Sequence, residues 1–210
     1  MLRIASVLLV SAALAACSTK PVAPADVVSD LAPTGKLRAA INFGNPVLAS
    51  KDPGSGEPRG VSVDLSRELA ARLGVPVEFV TYQAAGRVVE GLKTGAWDVA
   101  YVAIDPLRGA GMYQSPPYVV IEGAYLVATA SPVRSNAEVD REGVRVVVGQ
   151  GSAYDLFLSR ELKQAKIVRV ATSALVVDTL LAQKIEVAAG VRQQLEADAK
   201  RVPGVRRRRR

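Results

Sequence analysis

From residue 37 onward the chain alternates between two rhythms. Short apolar runs are separated by stretches with helical spacing. LRAAIN (37–42) reads as a short strand, and ASKDPGSGEPRG (49–60) as a turn-rich loop punctuated by Pro and Gly. VSVDLSRELAARLG sets Leu65, Leu69 and Leu73 four residues apart, one face of a helix closed by Gly74. VPVEFVTY is a strand. AAGRVVEGLKTG puts Val88, Val89 and Leu92 on one helix face, closed by Gly95. AWDVAYVAI is a nearly continuous apolar run, as expected of a strand whose sheet is covered on both faces. This half is β-α-β-α-β, which right-handed crossovers turn into a parallel α/β sheet. AYLVATA is a further strand, followed by the polar break SPVRSNAEVDREG. The pattern then restarts with VRVVVG, SAYDLFLSREL, KIVRVA, ALVVDTLLAQ, IEVAAG and VRQQLEADAK, strand and helix in turn. Two α/β units of similar rhythm predict two lobes, residues 34–126 and 127–203, joined near 124–134.

The first residues have a different pattern. In MLRIASVLLVSAALAACSTK, Arg3 supplies a short positive region and residues 4–13 an apolar core, too short to span a bilayer of about 30 Å as a helix. Leu14, Ala15 and Ala16 lead into Cys17, the only cysteine of the chain. This stretch resembles the lipobox of bacterial lipoproteins. The resemblance implies a signal peptide over residues 1–16, cleavage before Cys17 and lipid attachment to it, with more than one acyl chain for stable anchoring. Residues 17–33, Pro- and Ala-rich, read as a tether between lipid and domain.

Composition narrows the chemistry. Apolar residues make up 49% of the 210, enough for a substantial core. The formal charge of +7 misleads, because residues 206–210 are all arginine; without them 22 basic residues face 20 acidic ones. A nearly neutral body does not suggest a nucleic-acid surface. The chain has no histidine, which removes the commonest general base and zinc ligand. One cysteine allows no internal disulfide and no thiolate cluster. No metal or cofactor is expected.

Several segments in order carry a resemblance: the first strand and loop, GVSVDLSRELAARLG, LKTGAWDVAYVAIDPLR, YQSPPYV and VRVVVGQGSAY. Over about residues 36–200 the chain resembles the family 3 periplasmic solute-binding proteins, the amino-acid-binding components of ABC importers. The resemblance implies a two-lobed periplasmic-binding-protein fold of type II, α/β in class. Each lobe is then a mainly parallel sheet flanked by helices, with a ligand cleft between the lobes. It also implies a small carboxylate-bearing ligand, an ABC transporter permease as partner, a monomer, and a location outside the cytoplasm, anchored to the membrane by the N-terminal lipid.

Arg108 sits where the resemblance places the arginine that clamps the ligand's α-carboxylate. A guanidinium offers a planar fork of donors that matches a carboxylate and stays charged when partly buried. Its position just past a strand's carboxyl end is where ligands of open α/β sheets bind. The structural alternative is a surface arginine paired with Asp105. Ser152, in the turn QGSA, offers a hydroxyl and a helix N-terminus to the ligand, or caps its own helix, or both. Asn42 and Asn45 stand in the loop after the first strand, at positions where the resemblance implies an acid and an aromatic. Tyr101 offers a phenol beside the cleft, and Tyr82 lies in a strand-to-helix turn facing it. Asp64 is read as a first-turn carboxylate favouring its helix dipole.

The departures shape the ligand. Ala103 replaces a side-chain donor, Leu48 an aromatic, and Gly190 and Val191 stand where an aspartate would meet the ligand's ammonium. An ammonium buried without a counter-charge is costly. The ligand is therefore expected to be an amino acid with another acid as partner, or an organic acid without an amine. Relatives in the resembled family continue past this point, so the second lobe is expected to be incomplete, with residues 204–210 a disordered basic tail. Two rival functions remain: a ligand-less sensor or partner-binding module, and a dehydratase-type enzyme of the same fold. The second is disfavoured, because the cleft positions are Asn, Ala, Tyr, Ser and Arg, without a placed acid or base.

Overall fold

A computed structural model describes residues 23–207, so the expected signal peptide, Cys17 and Arg208–Arg210 lie outside the described residues. Helix α1 (Ala25–Leu31) occupies part of the expected tether. Pro24 stands at its N-cap and Asp26 in its first turn, a carboxylate at the positive end of the dipole. Val28 and Leu31 pack against Leu37, Ala70 and Leu73. Ala23 donates its N–H to Arg72 O at 3.1 Å. The tether expectation is corrected here: two apolar residues three apart suffice to seat a short helix on the core.

Lobe 1 is built on β1 (Leu37–Asn42), flanked by β4 (Val77–Tyr82) and β5 (Val99–Ala100) in the all-parallel order β4-β1-β5. A small hairpin of β2 (Ser50–Lys51) and β3 (Pro58–Arg59) fills the turn-rich loop. Helix α2 (Val61–Leu73) follows, closed by Gly74 in the left-handed conformation, φ 70°. The buried face of α2 is not the leucine stripe. It is Ser62, Val63, Ser66, Ala70 and Leu73, while Leu65 is exposed. The small side chains at 62, 66 and 70 let the helix lie close to the sheet, and Ser66 donates its hydroxyl to Ser62 O at 2.6 Å. Helix α3 (Ala85–Leu92) covers the other face and buries Val88 beside Ala40 and Trp97.

The run AWDVAYVAI forms a much shorter strand than its apolar character predicts. Only Val99 and Ala100 pair with β1, opposite Ala39 and Ala40. Asp98 pins the start: its carboxylate takes the backbone N–H of Arg38 at 2.8 Å, Nε at 3.1 Å and Nη2 at 2.5 Å. Beyond Ala100 no ladder continues among the described residues. Burial there comes from side chains, with Tyr101 turning onto Ile41 and Val63.

The second sheet holds β6 (Gly123–Ala128), β7 (Arg145–Gly149), β8 (Lys166–Val170), β9 (Val187–Val191) and β10 (Val205–Arg207), in the order β10-β6-β9-β7-β8. Strands β8, β7 and β9 are parallel; β6 runs antiparallel to both its neighbours, β9 and β10, so β10 again points the same way as β9. All of β6 belongs to this sheet, so the lobe boundary falls before Gly123 rather than at 126. The disorder expected from residue 204 does not hold for Val205–Arg207, which pair with Ala128, Val127 and Leu126.

Helices α5 (Ala153–Glu161), α6 (Val176–Ala182) and α7 (Arg192–Arg201) cover the sheet. On one face Val146, Val148 and Val187 meet Leu158; on the other Leu126, Val147 and Ala188 meet Val177, Leu180 and Leu195. Burial on both faces explains the unbroken VVV of β7.

Arg145 and Glu186 repeat in lobe 2 the clasp that Arg38 and Asp98 make in lobe 1. Glu186 takes the Arg145 backbone N–H at 2.8 Å, Nε at 3.0 Å and Nη2 at 2.9 Å. These bonds hold the Glu186 carboxyl below its ordinary range, the side-chain bond from Arg145 leading. A depressed carboxylate contributes stability above the unfolded-state value, about 4.3, and loses it as pH falls through the lower folded value. Glu186→Gln is expected to cost about 1–2 kcal/mol at pH 7. It should also flatten the fall in melting temperature between roughly pH 5 and 3. An acid profile identical to wild type would assign the linkage to other carboxylates.

Candidate functional site

Arg108 is carried by α4 (Pro106–Gly109), a single turn just past β5. The turn is built locally by the sequence Asp-Pro. Asp105 caps it, its Oδ1 accepting the Leu107 N–H at 2.9 Å, and Pro106 presets the first helical φ. Arg108 is 3% exposed. Nη1 donates to Ala103 O at 3.2 Å, and Nη2 donates to Gly151 O at 2.7 Å. Nε is buried and has no hydrogen-bond acceptor among the described residues. Burial lowers the pKa of Arg108 from its very high starting value, opposed by the nearby Asp105 charge.

Gly151 belongs to the turn between β7 and α5, so Arg108 reaches from lobe 1 to lobe 2. Asp105 does not hold Arg108; its Oδ2 takes Nη2 of Arg160, on α5, at 3.0 Å. The alternative of a surface arginine paired with Asp105 is therefore replaced by two separate interlobe contacts. A third joins glycines. A Cβ on Gly151, whose φ is +67°, would lie 2.8 Å from Gly86 Cα. The backbones touch because neither residue has a side chain.

Ser152 is buried and accepts the Asp155 N–H at 3.2 Å, capping α5 as one of its two readings has it. Asp155 takes the Gly151 N–H at 2.9 Å and is itself held by Arg169 at 2.9 Å. These donors of the helix N-terminus are thus already occupied, and Ser152 retains its hydroxyl proton for donation. Asn42 and Asn45 shape their loop: Asn42 Oδ1 accepts the Gly44 N–H at 2.9 Å and Asn45 Oδ1 the Val47 N–H at 3.2 Å. Gly44, between them, meets Ser173, Gly190 and Val191 of lobe 2 around a void of about 10 Å³, room for about one water.

The two tyrosines do not join this group. Tyr82 packs on Ala40, Val88 and Trp97 and closes against Gly91, in the core of lobe 1. Tyr101 hydrogen-bonds the Ser66 hydroxyl at 3.0 Å and stands edge-on to Tyr118 at 6.2 Å. Both expectations of a cleft-facing phenol are corrected: a glycine at 91 and a serine at 66 make room for the rings on the inner side. The structure brings Arg108 to the Gly151–Ser152 turn, whereas the asparagine loop meets lobe 2 at a separate place, through Gly44. Sequence reasoning missed Arg160 and Gly86. No local signal marks Arg160, and the capping role of Asp105 could have been read from the Asp-Pro pair before Arg108.

The cluster can bind an anion between two lobes, with an arginine fork as its main donor. Comparisons with known proteins agree with that architecture. Among solved structures, an ancestral amino acid-binding protein, a precursor of cyclohexadienyl dehydratase, superposes with TM-score 0.70 at 24% identity, over 86% of this chain and 80% of its own. A glycine-to-alanine mutant of arginine-bound ArgBP from T. maritima gives TM-score 0.71 at 22% identity, over 86% and 84%. A solute receptor for L-cysteine of Neisseria gonorrhoeae gives 0.71 at 23%, over 85% and 73%. These likenesses establish the two-lobed type II periplasmic-binding-protein fold. No curated protein sequence matches significantly. The family model of the bacterial extracellular solute-binding proteins, family 3, matches residues 37–197, from β1 into α7 and across every interlobe contact described above. The chain belongs to that family.

Proposed function

We propose that the chain captures a small carboxylate-bearing solute, an amino acid or an organic acid, between its lobes for an ABC importer. In this reading it acts outside the cytoplasm, held at the membrane by lipid on Cys17. The observation that carries the reading is the half-occupied fork of Arg108. Arg38 and Arg145 each spend the Nε/Nη2 edge on a carboxylate. Arg108 offers the same edge with one carbonyl oxygen on Nη2 and nothing on Nε. A ligand carboxylate fits that edge as a bidentate partner, displacing Gly151 O as the lobes part and close again. A buried donor left unmet favours any ligand that meets it.

Binding is favoured over catalysis because the gathered residues are Arg, Ser, Asn and Gly. Asp105 and Asp155, the nearest acids, are already engaged with Arg160 and Arg169. Arginine-, lysine- or cysteine-type ligands need an ammonium partner, and Val191 at the expected place supplies none, which supports a ligand without an exposed amine. Calorimetry against paired small carboxylates and their neutral amides tests the reading. The acid of at least one pair should bind about tenfold or more tightly than its amide. Equal affinity for acid and amide in every pair, or no binding at all, would overturn it.

A further inference from the structure

The Asp105–Arg160 pair forms part of the wall of a second and far larger cavity, about 670 Å³, to which Arg108 does not contribute. That volume is typical of small-molecule sites. The apolar wall is Ile104, Tyr125, Phe157 and Leu158. Ile104 is 57% and Phe157 53% exposed, large apolar surfaces turned toward solvent.

The polar lining is unbalanced in its hydrogen bonding. Two acids and two arginines face the cavity, already joined as Asp105–Arg160 at 3.0 Å and Glu122–Arg192 at 2.6 Å. What remains unspent is mostly donors. Arg192 binds Glu122 through Nη1 alone, and its Nε is buried away from solvent and the cavity. Arg160 binds Asp105 through one nitrogen of a group with five N–H donors. Tyr154 lines the cavity with a hydroxyl that has no hydrogen-bond partner among the described residues. Burial pushes that hydroxyl up to about 12, so it stays protonated and can only gain from an acceptor. Its ring lies on Gly123, where a Cβ would approach Tyr154 Cε1 to 2.6 Å.

A cavity with aromatic walls and surplus donors selects an acceptor on an apolar body. We infer that it is a second ligand site, separate from the Arg108 cleft, for a monocarboxylate carrying an aromatic or branched aliphatic group. The carboxylate meets Tyr154 and the two arginines, and the body covers Phe157, Ile104 and Tyr125. The inference does not rest on the cleft reading, since none of its residues is a ligand donor there.

The test uses the chain with 3-phenylpropionate as probe, and 3-phenylpropionamide for comparison, read by calorimetry and ligand-observed NMR. Wild type should bind the acid saturably and the amide about tenfold more weakly. Tyr154→Phe removes only the hydroxyl, and Phe157→Ala removes a half-exposed ring; each should weaken the acid about five- to tenfold. A small carboxylate that binds at the Arg108 cleft should not displace it. Melting curves of each variant confirm that it folds. Absence of saturable binding to wild type overturns the inference, as when a polypeptide segment already fills the cavity. Displacement of the probe by a cleft-binding small acid, with no loss in the two cavity variants, also overturns it, by placing the probe in the cleft. Failure of the cleft reading would show instead as equal affinities across the small acid–amide pairs.

Discussion

Arg108→Ala is expected to abolish capture of the solute at the cleft. Truncating one partner of a buried, hydrogen-bonded charge pair costs about 2–5 kcal/mol, a loss of about 30-fold to several thousandfold. The size follows from burial: at 3% exposure the ligand's carboxylate would be left without water or counter-charge. Arg108→Lys separates charge from geometry. A lysine keeps the cation but loses the planar fork, so it should recover only part of the affinity. The mutation also strips donors from Ala103 O and Gly151 O, so melting must be followed alongside. Affinity unchanged in Arg108→Ala, in a folded variant, removes Arg108 from the site.

Gly151→Ala should hold the lobes apart. Two effects add. An alanine at φ +67° costs about 1–2 kcal/mol. Its Cβ would also stand 2.8 Å from Gly86 Cα, a backbone atom that no rotamer change can move aside. The contact yields by opening, which should enlarge the radius of gyration in small-angle scattering and weaken the solute in parallel. Gly86→Ala tests the contact without backbone strain, since its Cβ meets Gln150 O at 3.1 Å and its φ is ordinary. It should open the lobes less. Scattering curves of Gly151→Ala superposing on wild type would show that the two glycines do not set closure.

Much of the fold was legible because strand and helix rhythms in an α/β chain are distinct. The runs LRAAIN, VRVVVG and KIVRVA became β1, β7 and β8 nearly as quoted. The failures share a cause: the pattern reports apolarity, and the structure also uses size. In α2 the leucine stripe and the small-residue stripe have the same spacing, and close approach to the sheet selected Ser62, Ser66 and Ala70. In AWDVAYVAI an apolar run cannot show where its ladder ends. The reversed sense of β6 depends on which strands it meets, which no local segment contains.

The site was legible to a similar depth. A charged residue just past a strand end, where the family resemblance expects a carboxylate clamp, pointed to Arg108. Its reach to Gly151 and the Asp105–Arg160 pair did not show, because they join segments far apart in sequence. Tyr82 and Tyr101 misled because a strand-end aromatic can turn to either side of its sheet. The direction was set by the space that Gly91 and Ser66 leave.

The twin clasps, Arg38 on Asp98 and Arg145 on Glu186, have a mechanical consequence. Each ties the first turn of one strand to the residue that launches its neighbour, so strand register inside each sheet is pinned at one end by side chains as well as by the backbone ladder. Shear within a lobe would have to break a bidentate ion pair. Rotation of one lobe against the other breaks neither. The side-chain ties therefore lie within each sheet and not in the segments between them, where Arg108, Asp105 and Tyr118 reside, so each sheet keeps its alignment whatever the angle between the lobes.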